Sequence, residues 1–426
     1  MKAHHQLFGR YIDILKEELH PAMGCTEPIA IAYAAAKARA TLGKMPDKVQ
    51  IEVSRNIIKN VKSVVVPNTG GLKGIEVAAV AGIVAGKEEK ILEVIAETTK
   101  EEQEQIRQFL KTTEVKVSES PNDLIFDIVV YVHAGPEVAT VQISYYHTNI
   151  VLITKNGDVV YKNDGCTDGE NVNLTDRSIL NVRDIIEFAE NVELSQVSEL
   201  IERQIACNMA IAKVGLEEKW GANVGSTLLK YFGNEVRTRA KAWTAAGSDA
   251  RMSGCSLPVI IVSGSGNQGM TASIPVIIYA EELKVSHDQL LRALLISNLI
   301  TIHQKTGIGR LSAYCGAVSA GCGAAAGIAW LHGGKFKEIA HTVVNSLATV
   351  SGIVCDGAKP SCAGKIAASV EGGLLGFYLC QNGQQFYCGE GLVSNCVENT
   401  IKNIGRLGRD GMSETDKEII RIMLGE

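Results

Sequence analysis

Three cysteines, Cys315, Cys355 and Cys362, stand among small residues and polar breaks, in settings suited to binding a soft metal ion. Cys315 opens the run Cys-Gly-Ala-Val-Ser-Ala-Gly-Cys322. Forty positions after Cys315 comes Cys355-Asp-Gly-Ala-Lys-Pro-Ser-Cys362, so each segment pairs two cysteines seven positions apart. Thiolates so arranged can converge on iron and sulfide. Zinc would call for closely spaced cysteine pairs or clustered histidines, and this region offers only His303, His332 and His341, so looser soft ligands suit iron–sulfur chemistry better. The spacing alone is no general metal motif, because a buried cysteine commonly behaves as a small hydrophobe. Cys322 fits that packing role on a glycine-lined helix face, whereas Cys355 and Cys362 flank a loop.

A fourth thiol, Cys25, sits in His20-Pro-Ala-Met-Gly-Cys-Thr-Glu-Pro28, just before an alanine-rich helical stretch at Ile29–Leu42. The partial positive charge of a helix N-terminus lowers a thiol pKa, so Cys25 reads as a base or nucleophile, or else as a small residue on a turn. His20, Thr26 and Glu27 flank it as orienting groups. Gly264-Ser-Gly266-Asn-Gln-Gly269 matches a dinucleotide fingerprint literally, but Pro275 follows closely and the wider flanks read as helical, which argues against the required strand–turn–helix context. A loop of backbone donors for a substrate carboxylate, or a tight turn alone, fits better. Gly266 and Asn267 are therefore candidate substrate contacts, as are Asn68 and Thr69 in the glycine-rich loop Pro67–Gly74. His133 and His147 fall in strands as satisfied structural residues, although His147-Thr-Asn149 at a strand end could face a cleft. Cys166, Cys207, Cys255, Cys380, Cys388 and Cys396 lack such context and read as core residues or surface thiols.

The elements that must position these residues suggest an α+β chain. Val49–Val53 and Val61–Val66 read as strands, as do Glu114–Ser118, Asp123–His133, Val138–His147 and Asn149–Thr154, most simply in an antiparallel sheet. Helical patterns occur before and between them at Phe8–Leu19, Ile75–Val84 and through Lys87–Leu110. From Ile179 the pattern is mostly helical, with Val182–Asn191, Leu194–Lys213, Leu228–Ala242, His287–Ile302, Cys315–His332, Lys335–Ala348 and Thr415–Leu424 the clearest cases. Small residues are dense in Gly307–Gly376, so helices there can approach closely. The polar stretch Lys155–Ser178 suggests a boundary between an N-terminal α/β domain with an antiparallel sheet (1–170), carrying the Cys25 loop, and a mostly α-helical cluster-binding C-terminal domain (171–426).

Composition narrows the partners. A net charge of -5 with scattered Lys and Arg, and 5% aromatics, leaves no footprint for nucleic acid. No apolar run is long enough for a bilayer, and the N-terminus lacks a secretory h-region, so the expectation is a cytoplasmic protein with a small-molecule partner and no membrane contact. The odd count of eleven cysteines in such a chain does not suggest a disulfide framework. Whether the chain forms a homo-oligomer is open.

The Cys25 segment, Tyr314-Cys315-Gly-Ala and Cys355–Cys362 together resemble the L-cysteine desulfidase family, a relative of the iron–sulfur L-serine dehydratases. The likeness runs over essentially the whole chain, including Val66-Pro-Asn-Thr-Gly-Gly and Gly264-Ser-Gly-Asn-Gln-Gly. It implies a lyase with an oxygen-sensitive [4Fe-4S] cluster that converts L-cysteine to pyruvate, ammonia and hydrogen sulfide without pyridoxal phosphate. Cys315, Cys355 and Cys362 match the family's cluster ligands, and Cys25 the proton acceptor. The Ser-Ser-His-Thr segment and near-terminal cysteine of the serine dehydratases are missing, which favours the desulfidase branch. Alternatives are a serine dehydratase-type lyase, a pyridoxal-phosphate lyase using Lys359 or Lys365, and an iron–sulfur or thiol redox sensor without catalysis.

Overall fold

The computed structural model describes residues 2–163, 166–167, 170–171, 174–309 and 311–425. Its sheet has six strands in the order Glu114–Glu119, Lys48–Val53, Asp127–Ala134, Glu137–Ser144, Ile150–Lys155, Asp158–Lys162. The first pair is parallel and the others antiparallel, as the alternating sequence pattern suggests for most of the sheet. Alternation is clean in Lys48–Val53, where Val49, Ile51 and Val53 are buried. The helix Thr26–Leu42 packs on the two central strands and against the helix Ile75–Ala85. There the Gly82 and Ala32 backbones meet with no room for a side chain at Gly82.

The second half is helical, confirming the α+β class. Helices Gly316–Leu331 and Cys362–Gln381 cross at backbone contact, since a Cβ on Gly321 would stand 2.5 Å from the Ser369 carbonyl oxygen. The small residues of Gly307–Gly376 thus lock together the two helices that begin at Cys315 and Cys362. No helix among the described residues is long and apolar enough to cross a membrane.

Several sequence expectations change. Val61–Val66 is not a strand: the helix Arg55–Val61 precedes it, and Val65 makes a single isolated bridge to Lys73. Ile57 and Val61 lie one helical turn apart and are both fully buried, so burial of one face overrides β propensity. Leu228–Ala242 is two helices, Val224–Phe232 and Val236–Met252, parted at Gly233, whose φ of 82° ends the first. A helix does open at the glycine motif, Gly266–Leu283, with Pro275 buried in its interior. It follows the short strand Pro258–Ile260, which pairs antiparallel with Pro21–Met23 rather than entering a parallel βαβ unit, so the dinucleotide geometry is still not formed. Asp158–Lys162 is an edge strand too exposed to show alternation.

The two halves of the sequence share one apolar cluster, from Tyr11 to Ile404. Tyr11 Oη donates to the Ile179 carbonyl at 3.1 Å, and the strand before Cys25 pairs with residues 258–260. The boundary expected within Lys155–Ser178 falls partly outside the described residues.

Candidate active site

Four helices begin at this site, and none has a side-chain cap. Cys25 is the N-cap of Thr26–Leu42, Ser265 of Gly266–Leu283 and Cys315 of Gly316–Leu331, while Cys362 is the first residue of the fourth. Uncapped first-turn N–H groups leave partial positive charge at each end, which favours thiolate or carboxylate there. Contacts bring the ends together. Cys25, Val64 and Met252 form a small buried cluster, with Ala358 and Cys362 packed against it. Thr26 Oγ1 lies 3.0 Å from the Gly264 carbonyl oxygen. A Cβ on Gly316 would fall 2.5 Å from Gln268 Cδ, so the Cys315 and Gly266 helices touch.

Cys315 and Cys355 are held by a short antiparallel pairing: Cys315 N–H donates to the Ile353 carbonyl at 3.1 Å and Cys355 N–H to the Ala313 carbonyl at 2.7 Å. Cys362 Sγ accepts from the Lys359 N–H at 3.4 Å. Their loop rests on the helix Arg55–Val61, with Gly357 so close that a Cβ would lie 2.6 Å from the Lys59 carbonyl oxygen. Lys359 Nζ donates to that same carbonyl at 3.3 Å, and Lys365 pairs with Asp356. All three cysteines are free and part-buried. Burial first, then the neighbouring Cys355 sulfur, pushes the Cys315 thiol up to about 12; burial also raises Cys362. Metal coordination reverses that trend, because it is the thiolate that binds.

Cys25 is buried, and its thiol donates to Glu27 Oε2 at 2.9 Å. Burial and the Glu27 charge push the thiol well above its ordinary value, with Arg251 pulling the other way. The helix terminus therefore does not by itself make Cys25 a thiolate, contrary to the sequence expectation: burial disfavours the charge first, and the full charge of the carboxylate two residues on adds to it. Glu27 Oε1 accepts from Asn60 Nδ2 at 3.0 Å and lies 3.9 Å from His147 Nε2. Burial disfavours the Glu27 carboxylate, but the neighbouring His147 imidazole and the Cys25 hydrogen bond outweigh it and hold the group at about 2. His147 itself is buried edge-on to Phe126. Of the flanking groups expected to orient Cys25, Glu27 does so directly and Thr26 lies 3.1 Å from its carboxylate. The His20 carbonyl accepts from the Ile261 N–H.

The other candidates divide. Asn68 donates to the Ile95 and Ala96 carbonyls, tying its loop to that segment, and Thr69 donates to the Val66 carbonyl beside its own loop, so both side chains are spent on structure. That loop nonetheless backs the site, since Pro67 packs against Gly24 with no space for a Cβ. Gly266 and Asn267 begin their helix beside Arg251, and Asn267 Oδ1 accepts from Arg251 Nη1 at 3.1 Å. Cys322 is buried with Sγ 3.6 Å from the Val343 carbonyl, in the packing role. Cys255 is buried, Cys207 and Cys380 part-buried, and Cys388 and Cys396 exposed; the Cys166 side chain lies outside the described set. The sequence reading overlooked Arg251, Asn60 and Gln268. Arg251 carried a signal, as a lone basic residue between Ala-Ala-Gly-Ser-Asp-Ala and Met-Ser-Gly-Cys.

The model of the serine dehydratase alpha chain family matches residues 89–421. The chain belongs to that family. This places it among iron–sulfur serine dehydratase-like proteins, a lyase-type enzyme family, and the match includes Arg251 and the three cysteines but starts after Cys25. Over its full length the chain is 59% identical to a UPF0597 protein of Desulfitobacterium hafniense (strain Y51), covering 99% of that relative. It is 50% identical to a UPF0597 protein of Lachnoclostridium phytofermentans and 46% to one of Treponema denticola, covering 100% and 97% of them and 98% and 97% of its own length. Both stretches of the site in this serine dehydratase alpha chain relative thus fall within long full-length likenesses.

Among the described residues no three His, Cys, Asp or Glu side chains are gathered tightly enough for a single metal ion. An iron–sulfur cube has its irons at separate corners, so its thiolates stand farther apart than the ligands of one ion. Three free soft donors, two on helix starts and one on the loop between, fit such a cluster.

Proposed function

We propose that this chain is an iron–sulfur lyase that eliminates sulfide from L-cysteine, yielding pyruvate and ammonia. The observation that carries the reading is the small buried cluster of Cys25, Val64 and Met252 with Cys362 of the three-cysteine set packed against it, which brings an acid–base group beside a metal-binding one. When bound by Cys315, Cys355 and Cys362, a [4Fe-4S] cluster supplies one iron free of protein thiolate, a Lewis acid for the substrate.

The remaining chemistry falls to side chains. Cys25 is the proton acceptor for Cα–H. At rest its proton points at Glu27, so it acts once it becomes a thiolate; a substrate ammonium group entering beside Glu27 and Cys25 favours that state, as opposite charge does. As the Cα proton passes to sulfur, the C–H electron pair forms the Cα=Cβ bond and the Cβ–S bond breaks. Sulfide leaves with that bond's electrons and is protonated. The aminoacrylate tautomerises to an imine, which water hydrolyses to pyruvate and ammonia. A positioned base of this kind contributes roughly 10²–10⁴-fold.

The family match favours a second reading, in which hydroxide leaves from L-serine by the same elimination. The test is anaerobic purification with iron and sulfide analysis, then assay of pyruvate from L-cysteine and L-serine and of sulfide from L-cysteine. The expected result is a brown, iron-containing protein that releases sulfide and pyruvate together. Pyruvate from serine alone selects the second reading. A colourless, iron-free protein with full activity ends both.

A further inference from the structure

Arg251 is 3% exposed, close to the reacting thiol, and has no carboxylate partner within 4 Å among the described residues. Its Nη1 donates to Asn267, but its Nε is buried with no acceptor. A buried cation left in this way is costly unless a ligand completes it. The nearest acid in the network, Glu27, is already engaged by Cys25, Asn60 and His147. Arg251 Nε faces the uncapped start of the Gly266 helix: a Cβ on Gly266 would stand 2.5 Å from it. A guanidinium and a helix N-terminus thus meet at one point, and both attract an anion with oxygen acceptors. Two more buried orphans nearby have the opposite sense, the acceptors Gln268 Oε1 and Asn60 Oδ1. Gln268 follows Asn267 directly and packs on Gly316, while Asn60 binds Glu27. Unpaired donors and acceptors in the elements around Cys25 suit a zwitterion.

We infer that Arg251, with the N-terminus of the helix Gly266–Leu283, binds the α-carboxylate of the amino-acid substrate. This rests on the lyase reading and adds its carboxylate anchor. Glycine is required at position 266 because a Cβ there would overlap both the Val259 side chain and the guanidinium, pushing Arg251 off the helix start. Asn267 aims the guanidinium through its Oδ1. Arg251 is also close enough to the thiols to serve as their counter-charge, and the experiment separates the two roles.

Two probes are titrated calorimetrically under anaerobic conditions into the iron-loaded protein: 3-mercaptopropionate, which has thiol and carboxylate, and cysteamine, which has thiol and amine but no carboxylate. In Arg251→Gln, 3-mercaptopropionate binding is expected to weaken roughly 10- to 100-fold while cysteamine binding holds and the iron content is unchanged. Arg251→Lys retains part of the carboxylate affinity. Asn267→Asp provides the second variant: its carboxylate pairs with Arg251 from within, keeps the buried charge compensated, and weakens 3-mercaptopropionate selectively. Undiminished 3-mercaptopropionate binding in Arg251→Gln, or equal losses for both probes, overturns the assignment. If Arg251→Gln sheds its iron, Asn267→Asp decides, and unchanged carboxylate affinity there overturns it. Wild-type protein that binds 3-mercaptopropionate through Arg251 but eliminates neither cysteine nor serine refutes the lyase reading and leaves the anchor standing.

Discussion

Replacing Glu27 by Gln removes one charge from a fully buried network while keeping the shape of the side chain. In the folded protein Glu27 titrates at about 2 against an ordinary 4.5, a difference worth roughly 3 kcal/mol. A carboxyl depressed in the folded state stabilises above its unfolded pKa, and that contribution is lost as pH falls through the folded value. Wild type should therefore carry this stabilisation in full at pH 7 and lose it between 4.5 and about 2, with more than half gone by roughly pH 3. Glu27→Gln has nothing to titrate there. In addition, its amide group faces two donors at Oε2, the Cys25 thiol and Thr26 hydroxyl, or the Asn60 amide at Oε1, so one contact turns repulsive at any pH. Denaturant unfolding with reduced thiols, repeated from pH 7 to 3, measures the difference. The variant should be less stable by roughly 3 kcal/mol at pH 7, and the gap should narrow on acidification. Parallel stability profiles for the two proteins would refute the account of Glu27 as a buried carboxylate held charged by His147 and Cys25.

Cys25→Ala should leave iron and sulfide content at the wild-type level and abolish most elimination; full activity in that variant would remove Cys25 from the reaction. Cys322→Ala should cost about 1 kcal/mol of stability as a small cavity and retain iron, whereas Cys315→Ala should lose it, as metal analysis of the two side by side will show. Gly269→Ala should lower the melting temperature and activity together: its Cβ overlaps the Ile260 carbonyl, and forcing the helix off that strand costs about 1–3 kcal/mol and disturbs the pairing that holds Pro21–Met23 ahead of Cys25. Normal stability with normal activity would show that the contact is unimportant.

Much of the site was legible in the sequence because its residues announce themselves by type and local setting. The Cys315 and Cys355–Cys362 segments stand out among small residues, and Pro28 with the alanines after it marks a helix that puts Cys25 at its start. The α+β class followed from period-two patterns giving way to helical ones, and the close helix contacts from the density of glycine. What periodicity could not settle was where local preference yields to packing. Val61–Val66 has strand-like residues but adjoins a helix whose buried face is apolar, and Pro275 continues a helix that the strand Pro258–Ile260 holds in place.

The state of Cys25 depended on tertiary structure alone. Sequence places the thiol at a helix N-terminus, which favours its charge; burial beside the Glu27 carboxylate reverses the sign. His147 stands more than a hundred positions from Glu27, and Arg251 more than two hundred from Cys25. Electrostatic interaction falls with distance in space and rises with removal of water, and chain order encodes neither. The sequence by itself determined which groups could do the chemistry and which elements carry them. Folding decided which thiol burial holds protonated, which carboxylate stays charged and which buried cation is left without a carboxylate partner.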